Sequence, residues 1–270
     1  MRRLAAAAIV AGLLAACGGG GGDGEPAQPE GVSGPGVYLA LGDSLSEGIG
    51  ASVRGESDFV SRVRDGLPKE IELLNLGESG DTSDDLIGHG HLDEAVAEVE
   101  RRGDDDDPDN DVRLVTLEIG GNDLLNIFSS LVLPGICPTL ATSLAKPQCV
   151  NALREALDGF GPNLTAAIDR LQAADPDLPI ALMTLYNPFS GGLEPVSEVA
   201  ELALEGKEGT VFPEGMNDMI RAEAQRQDVI LVEWYPLFEG KAGQYIASDL
   251  IHPNDEGHRM MAEAVLNAVL

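Results

Sequence analysis

Val37-Tyr38-Leu39-Ala40-Leu41-Gly42-Asp43-Ser44-Leu45-Ser46 is the stretch whose reading decides the fold. Its first five residues form an unbroken run of β-branched, aliphatic and aromatic side chains, and glycine and aspartate then end the run just before a serine. A strand that is apolar at consecutive positions, not alternate ones, is buried on both faces, as in a parallel sheet covered by helices. In such sheets ligands bind beyond the carboxyl ends of the strands. The turn at 42–46 leaves the strand at the edge where a site is expected.

Four more runs rich in β-branched and aliphatic residues follow, most of them nearly continuous: Ile71–Leu76, Val112–Ile119, Pro179–Leu185 and Val229–Trp234. Helical spacing lies between them. Leu92, Val96 and Val99 share a stripe, as do Val150, Leu153, Leu157 and Phe160, then Leu164, Ile168 and Leu171. Gly161-Pro162 is expected to break or kink that long segment. Met261, Val265 and Val269 form the last stripe. Strand and helix alternate without an internal repeat, which predicts βαβ units and a three-layer α/β/α sandwich on a five-stranded parallel sheet.

The residues just after each strand carry the chemistry. They are Gly42-Asp43-Ser44-Leu45 after the first, Gly77-Glu78-Ser79-Gly80-Asp81 after the second, and Gly120-Gly121-Asn122-Asp123 after the third. Ser248-Asp249-Leu250-Ile251-His252-Pro253-Asn254 stands between the fifth and the final helix. A serine hydroxyl attacks an acyl carbon only when a base takes its proton. His252 is the candidate base, with Asp249 three residues earlier to fix its tautomer. The Ser44 and Gly80 backbone amides and the Asn122 side-chain amide are candidate donors to the oxyanion of a tetrahedral intermediate. Ser44 stands in Gly-x-Ser-x-Ser, so the α/β-hydrolase elbow, Gly-x-Ser-x-Gly, is not met.

Together, Gly42-Asp43-Ser44-Leu45, Gly80, Gly121-Asn122-Asp123 and Asp249-x-x-His252 resemble the four sequence blocks of the GDSL, or SGNH, hydrolase family, with Pro253-Asn254 matching its pattern after the histidine. The resemblance spans residues 37–270 in order. It implies a flavodoxin-like strand order, 2-1-3-4-5, and hydrolysis of esters or thioesters without a cofactor or metal. The expected function is a serine esterase or lipase working through an acyl-enzyme on Ser44, with lysophospholipase and thioesterase within range and a small-molecule or lipid ester as substrate. A carbohydrate O-deacetylase, or a tethered binding lipoprotein without catalysis, are the alternatives. Both nucleophile and base are intact, which speaks against the second.

Two long connections leave strand ends on the same side. One runs from Leu124 to Cys149 and contains Ile127, Phe128, Leu131, Val132, Leu133 and Ile136; the other runs from Asn187 to Gly215. Their apolar content would suit a pocket for an acyl chain longer than acetate, or would complete the core. Cys137 and Cys149 form an even pair, read as a disulfide clipping that segment and worth about 3 kcal/mol in the loop-entropy model; two free buried thiols are the other reading.

Several residues invite other assignments. His89 and His91 read either as two metal ligands lacking further partners or as a solvated helix entry. Asp104–Asp111 offers oxygen ligands to calcium but lacks the spacing and central glycine of an EF-hand loop, so a solvated loop is the reading preferred. Asp43 is expected to hold its turn by backbone hydrogen bonds. Trp234 and Tyr235 are expected to pack. His258, early in the final helix, is expected near the surface.

With 270 residues and a formal charge of −29, the chain repels nucleic acid and anionic lipid, so neither is expected as a partner. Arg2 and Arg3, the apolar run Leu4–Ala16 and the sequence Leu14-Ala15-Ala16-Cys17 read as a signal peptide over 1–16 ending in a bacterial lipoprotein box. Residues 17–36 then read as a lipidated Cys17 on a glycine-rich tether, and 37–270 as the hydrolase domain. The expectation is a monomer exported to the bacterial cell envelope, which its lipid anchor alone attaches to the membrane.

Overall fold

The computed structural model describes residues 32–270. The leader at 1–16, Cys17 and the tether up to residue 31 lie outside the described residues. In chain order the elements are β1 (Gly36–Gly42), α1 (Ser44–Glu47), α2 (Phe59–Gly66), β2 (Ile71–Asn75), α3 (Ser83–Gly88), α4 (His91–Gly103), β3 (Val112–Glu118), α5 (Gly121–Ile127) and α6 (Leu140–Ala145). There follow α7 (Pro147–Ala174), β4 (Ile180–Met183), α8 (Glu194–Glu205), α9 (Met216–Gln227), β5 (Ile230–Val232), α10 (Tyr235–Phe238), α11 (Ala242–Tyr245) and α12 (Asp255–Val269).

The strands pair in parallel in the order β2-β1-β3-β4-β5. Each lies on one of the five apolar runs. Alternation along β1 sorts its side chains into two cores. Val37, Leu39 and Leu41 face a layer built from α4, α7 and α9, where they meet Leu92, Leu164, Ile168 and Ile220. Tyr38 and Ala40 face α2 and α12, where they meet Phe59, Val63, Met261 and Val265. Fully burying a side chain of this size contributes about 1.5–3 kcal/mol, so both faces of β1 anchor the strand that presents Ser44. At the sheet edge β2 is largely exposed beyond Ile71. Sequence alternation at Glu72 and Asn75 already marks that difference from the central strands.

Pro162 does not break its helix: α7 runs through it for 28 residues. A proline inside a helix costs about 3 kcal/mol. Here Phe160, Leu164, Ala167, Ile168 and Leu171 are all buried on one stripe, and the packing on both sides of Pro162 offsets that cost. Among the described residues no helix is long and apolar enough to cross a membrane.

Candidate active site

Strand β1 ends at Gly42, where the chain passes so near β3 that a Cβ would collide with the Glu118 carbonyl oxygen. Asp43 then caps α1, its Oδ1 accepting the Leu45 N–H at 3.1 Å. Ser44 is therefore the first helical residue. Its N–H has no hydrogen-bond partner among the described residues, as expected for an amide in a helix's first turn. Ser44 as a whole is 94 % buried yet opens on a cavity.

The histidine arrives from the far end of the chain. The loop that carries it is pinned by an antiparallel bridge between Ile246 and Pro253, by the Ala247 N–H donating to the His252 carbonyl at 2.8 Å, and by the Tyr186 hydroxyl donating to the Ile251 carbonyl at 2.8 Å. Asn254 closes the loop by capping α12 through the Glu256 and Gly257 amides. His252 Nε2 lies 3.0 Å from Ser44 Oγ, and its Nδ1 lies 2.7 Å from Asp249 Oδ2. Asp249 Oδ1 accepts the Ile251 and His252 backbone N–H groups, both at 3.0 Å. Partial burial works against the Asp249 charge, but these hydrogen bonds outweigh it and hold the carboxyl below its ordinary range. An acid that stays ionised can accept only from Nδ1–H, which leaves Nε2 as the acceptor facing the serine.

The loops after β2 and β3 are tied together. Gly120, in the left-handed region at φ 112°, lets α7 approach so closely that Phe160 Cε2 lies 2.6 Å from where a Cβ would stand. From the following turn Asn122 Nδ2 donates to Asp43 Oδ2 at 3.1 Å and to the Asp81 carbonyl at 2.9 Å. Asp123 accepts the Ser83 N–H at 2.9 Å and its hydroxyl at 2.7 Å. The Gly-Asn-Asp block thus fixes both the turn that carries Ser44 and the Gly80 loop. Gly80, at φ 97°, needs the freedom of glycine, and its N–H has no partner among the described residues. The two amide protons of Asn122 are already engaged, a feature the sequence did not reveal.

The cavity beside Ser44 and His252 has a volume of about 130 Å³. Both long connections line it: Leu124, Ile127, Phe128 and Val132 from the first, Phe189, Val196, Val199 and Phe212 from the second. Cys137 and Cys149 are disulfide-bonded and form part of its wall. These side chains gather in two clusters of their own beside the sheet cores, one around Leu131, Val132 and the disulfide, the other around Leu153, Leu202 and Phe212.

The remaining expectations are resolved residue by residue. His89 and His91 both turn their Nδ1 to the Asp81 carboxylate, at 3.0 and 2.8 Å. The Asp81 bond raises the His89 pKa. Asp105 and Asp107 spend oxygens on the Asp107 and Asp109 amides and on Asn110. Among the described residues no three His, Cys, Asp or Glu side chains converge as metal ligands. His258 is not near the surface but fully buried, accepting the Phe59 N–H on Nδ1 at 3.2 Å and donating from Nε2 to the Ile49 carbonyl at 3.0 Å. Its place on the buried stripe with Met261 and Val265 explains this, for the helix turns that face to the sheet. Trp234 packs edge-on against Phe59 at 5.0 Å.

The model of the GDSL-like lipase/acylhydrolase family matches residues 40–260. The chain belongs to that family. This GDSL-like hydrolase is 24% identical over 235 residues to the spore germination lipase LipC of Bacillus licheniformis, covering 84% of this chain and 92% of the other. Its fold is that of the extracellular lipase of Streptomyces rimosus, at a TM-score of 0.59 and 17% identity, over 86% of this chain and 99% of that one. Phospholipase A1 of Streptomyces albidoflavus NA297 superposes with a TM-score of 0.55 at 17% identity, over 87% and 100%. The GDSL-like hydrolase is a serine ester hydrolase. Sequence reasoning overlooked one buried acid next to its serine, Glu118, although the signal was there: a glutamate inside the apolar run of β3.

Proposed function

We propose that this enzyme cleaves carboxylic esters of medium or longer acyl chains through an acyl-enzyme on Ser44. The observation that carries the reading is the unbroken relay Asp249–His252–Ser44, at 2.7 and 3.0 Å, opening on an apolar cavity. His252 Nε2 takes the Ser44 proton as Oγ attacks the acyl carbon, and Asp249 stabilises the imidazolium that forms. The Ser44 and Gly80 amides donate to the oxyanion. Asn122 joins them by turning one N–H away from Asp43. Nε2–H then protonates the leaving alkoxide, and water deacylates the serine by the same base. Each oxyanion donor is worth about 3–4 kcal/mol to the transition state.

The acyl chain lies between the two long connections. Their side chains form clusters distinct from the two sheet cores, joined to one of them only through Leu124 and Leu157, which supports a pocket over mere completion of the core, and the apolar lining favours a longer acyl chain over a sugar-borne acetate. We further propose, from residues 1–36, export and lipidation at Cys17, with the enzyme a monomer tethered to the envelope membrane only by that lipid. The test is a panel of p-nitrophenyl esters from acetate to palmitate, run on the chain without residues 1–31 beside its Ser44→Ala variant and a fluorophosphonate probe. Maximum kcat/KM beyond acetate, with labelling lost only in Ser44→Ala, is expected. Undiminished hydrolysis by folded Ser44→Ala would refute the nucleophile, and a sharp acetate optimum would refute the pocket.

A further inference from the structure

Glu118 ends β3 directly beneath the nucleophile turn, with none of its surface exposed. Its Oε2 accepts the Asp43 N–H and the Ser46 hydroxyl, both at 3.4 Å, while Oε1 receives no hydrogen bond. Asp43 is also buried and holds both ends of the site: Oδ1 accepts from Ser44 Oγ at 3.3 Å, Oδ2 from Asn122. Two carboxyls without a cation beside them cannot both ionise in such a place. An oxygen that no donor reaches suits the one that carries a proton.

Burial pushes both groups up, Asp43 to about 6 and Glu118 further, the nearby Asp43 charge adding to the rise in Glu118. Asp43 spends both oxygens accepting, from the Ser44 hydroxyl, the Leu45 N–H and Asn122, whereas Glu118 Oε1 meets no donor, so the proton the two hydrogen-bonded carboxyls share is placed on Glu118. Among the other titratable groups nearby, His252, on the loop before α12, lowers Asp43, and Tyr186, after β4, is itself raised by burial first and then by the two carboxyls and Asp249.

The consequence concerns the serine. Its one hydroxyl proton has two acceptors, Asp43 Oδ1 at 3.3 Å and His252 Nε2 at 3.0 Å, and only the second is productive. A fully charged, unshared Asp43 competes with the histidine. An Asp43 that already accepts from Glu118 competes less. We propose that Glu118 is a positioning residue: by lending one proton to Asp43 it holds the 42–46 turn and leaves the Ser44 hydroxyl to donate to His252. This rests on the reading of Ser44 as nucleophile.

Two substitutions separate the proton from the packing. In Glu118→Gln an amide N–H replaces the acid O–H towards Asp43, and the amide oxygen still accepts from Asp43 and Ser46. In Glu118→Leu all three bonds are lost at similar volume. Expected for Glu118→Gln is kcat within about threefold of wild type, an unchanged pH profile, and loss of the protonated-carboxyl C=O stretch from the infrared spectrum. Expected for Glu118→Leu is a fall in kcat of at least about tenfold, the effect of misplacing the turn by the loss of its hydrogen bonds, with KM little changed and slower fluorophosphonate labelling of Ser44. Should Glu118→Leu not fold, the Glu118→Gln results decide alone. A large loss of kcat in folded Glu118→Gln, or no infrared difference at neutral pH, would overturn the proposal. So would a folded Glu118→Leu of normal kcat and lowered Tm. Failure of the nucleophile reading would show instead as activity surviving in Ser44→Ala.

Discussion

Replacing Asp249 by asparagine and by alanine separates the two tasks of that carboxylate. In alanine the 2.7 Å bond to His252 Nδ1 disappears. A hydrogen bond to a charged group contributes about 1.5–3 kcal/mol, which at about 1.4 kcal/mol per decade is roughly a 10- to 150-fold fall in kcat. The Asp249 side chain is 44% exposed, so water enters the vacated place and the lower half of that range is expected. Asparagine keeps its Oδ1 on the Ile251 and His252 amides and turns Nδ2 to the imidazole. Nδ1 must then accept, the ring proton moves to Nε2, and the nitrogen facing Ser44 can no longer take a proton. A loss approaching the roughly 10⁴-fold of other triads follows. Stability should move the other way. Asparagine preserves the loop's two backbone bonds, whereas alanine frees both amides, for about 1 kcal/mol and roughly 2–4 °C in Tm for a domain of this size. The assay is kcat and KM on a p-nitrophenyl ester, with Tm from a thermal melt. An alanine variant slower than the asparagine one, or both within about threefold of wild type, would refute the role given to Asp249.

Ala200 lines the cavity on α8, so Ala200→Phe should shorten the preferred acyl chain while leaving acetate hydrolysis within about twofold; the ester panel reads this, and an unmoved chain-length optimum would count against the cavity as acyl pocket. His258 is held neutral, burial first of all lowering its pKa despite the Ile49 contact. Its folded pKa lies below the unfolded value, so the unfolded chain binds the extra proton first: the stabilisation is complete above about pH 6.5 and is lost as pH falls below it. Urea melts between pH 7.5 and 5.5 should therefore show a smaller loss of stability in His258→Gln than in wild type, and identical losses would contradict the assignment.

The sheet was legible because its signal is local. Five runs rich in aliphatic and β-branched residues became five strands; two-faced burial makes the central ones nearly continuous in apolar residues, while the edge strand β2 admits Glu72 and Asn75. The places of Ser44 and Asn122 followed from the strand-exit rule, and that of His252 from its chemistry, a histidine with Asp249 three residues before it. What escaped was decided between strand exits. The breaker Gly161-Pro162 masked the continuity of the stripe from Phe160 to Leu164, Ile168 and Leu171, and the polar neighbours of His258 masked that it extends the Met261–Val265–Val269 stripe, which α12 turns towards Phe59 and Ile49. The same holds for the acids. A glutamate in the run Val112–Ile119 is visible in the sequence, but its meaning depends on Asp43, 75 residues earlier, reaching the same spot through β1. Parallel neighbours β1 and β3 bring it there in register, with Gly42 opposite Glu118. The missing Cβ of Gly42, which would stand 2.9 Å from Glu118 Oε2, leaves the acid room beside the turn. The first glycine of the Gly-Asp-Ser-Leu block is thus a spatial requirement of the buried pair. On that argument Gly42→Ala should damage kcat and stability together, because it displaces the acid and the turn that presents the serine in one stroke.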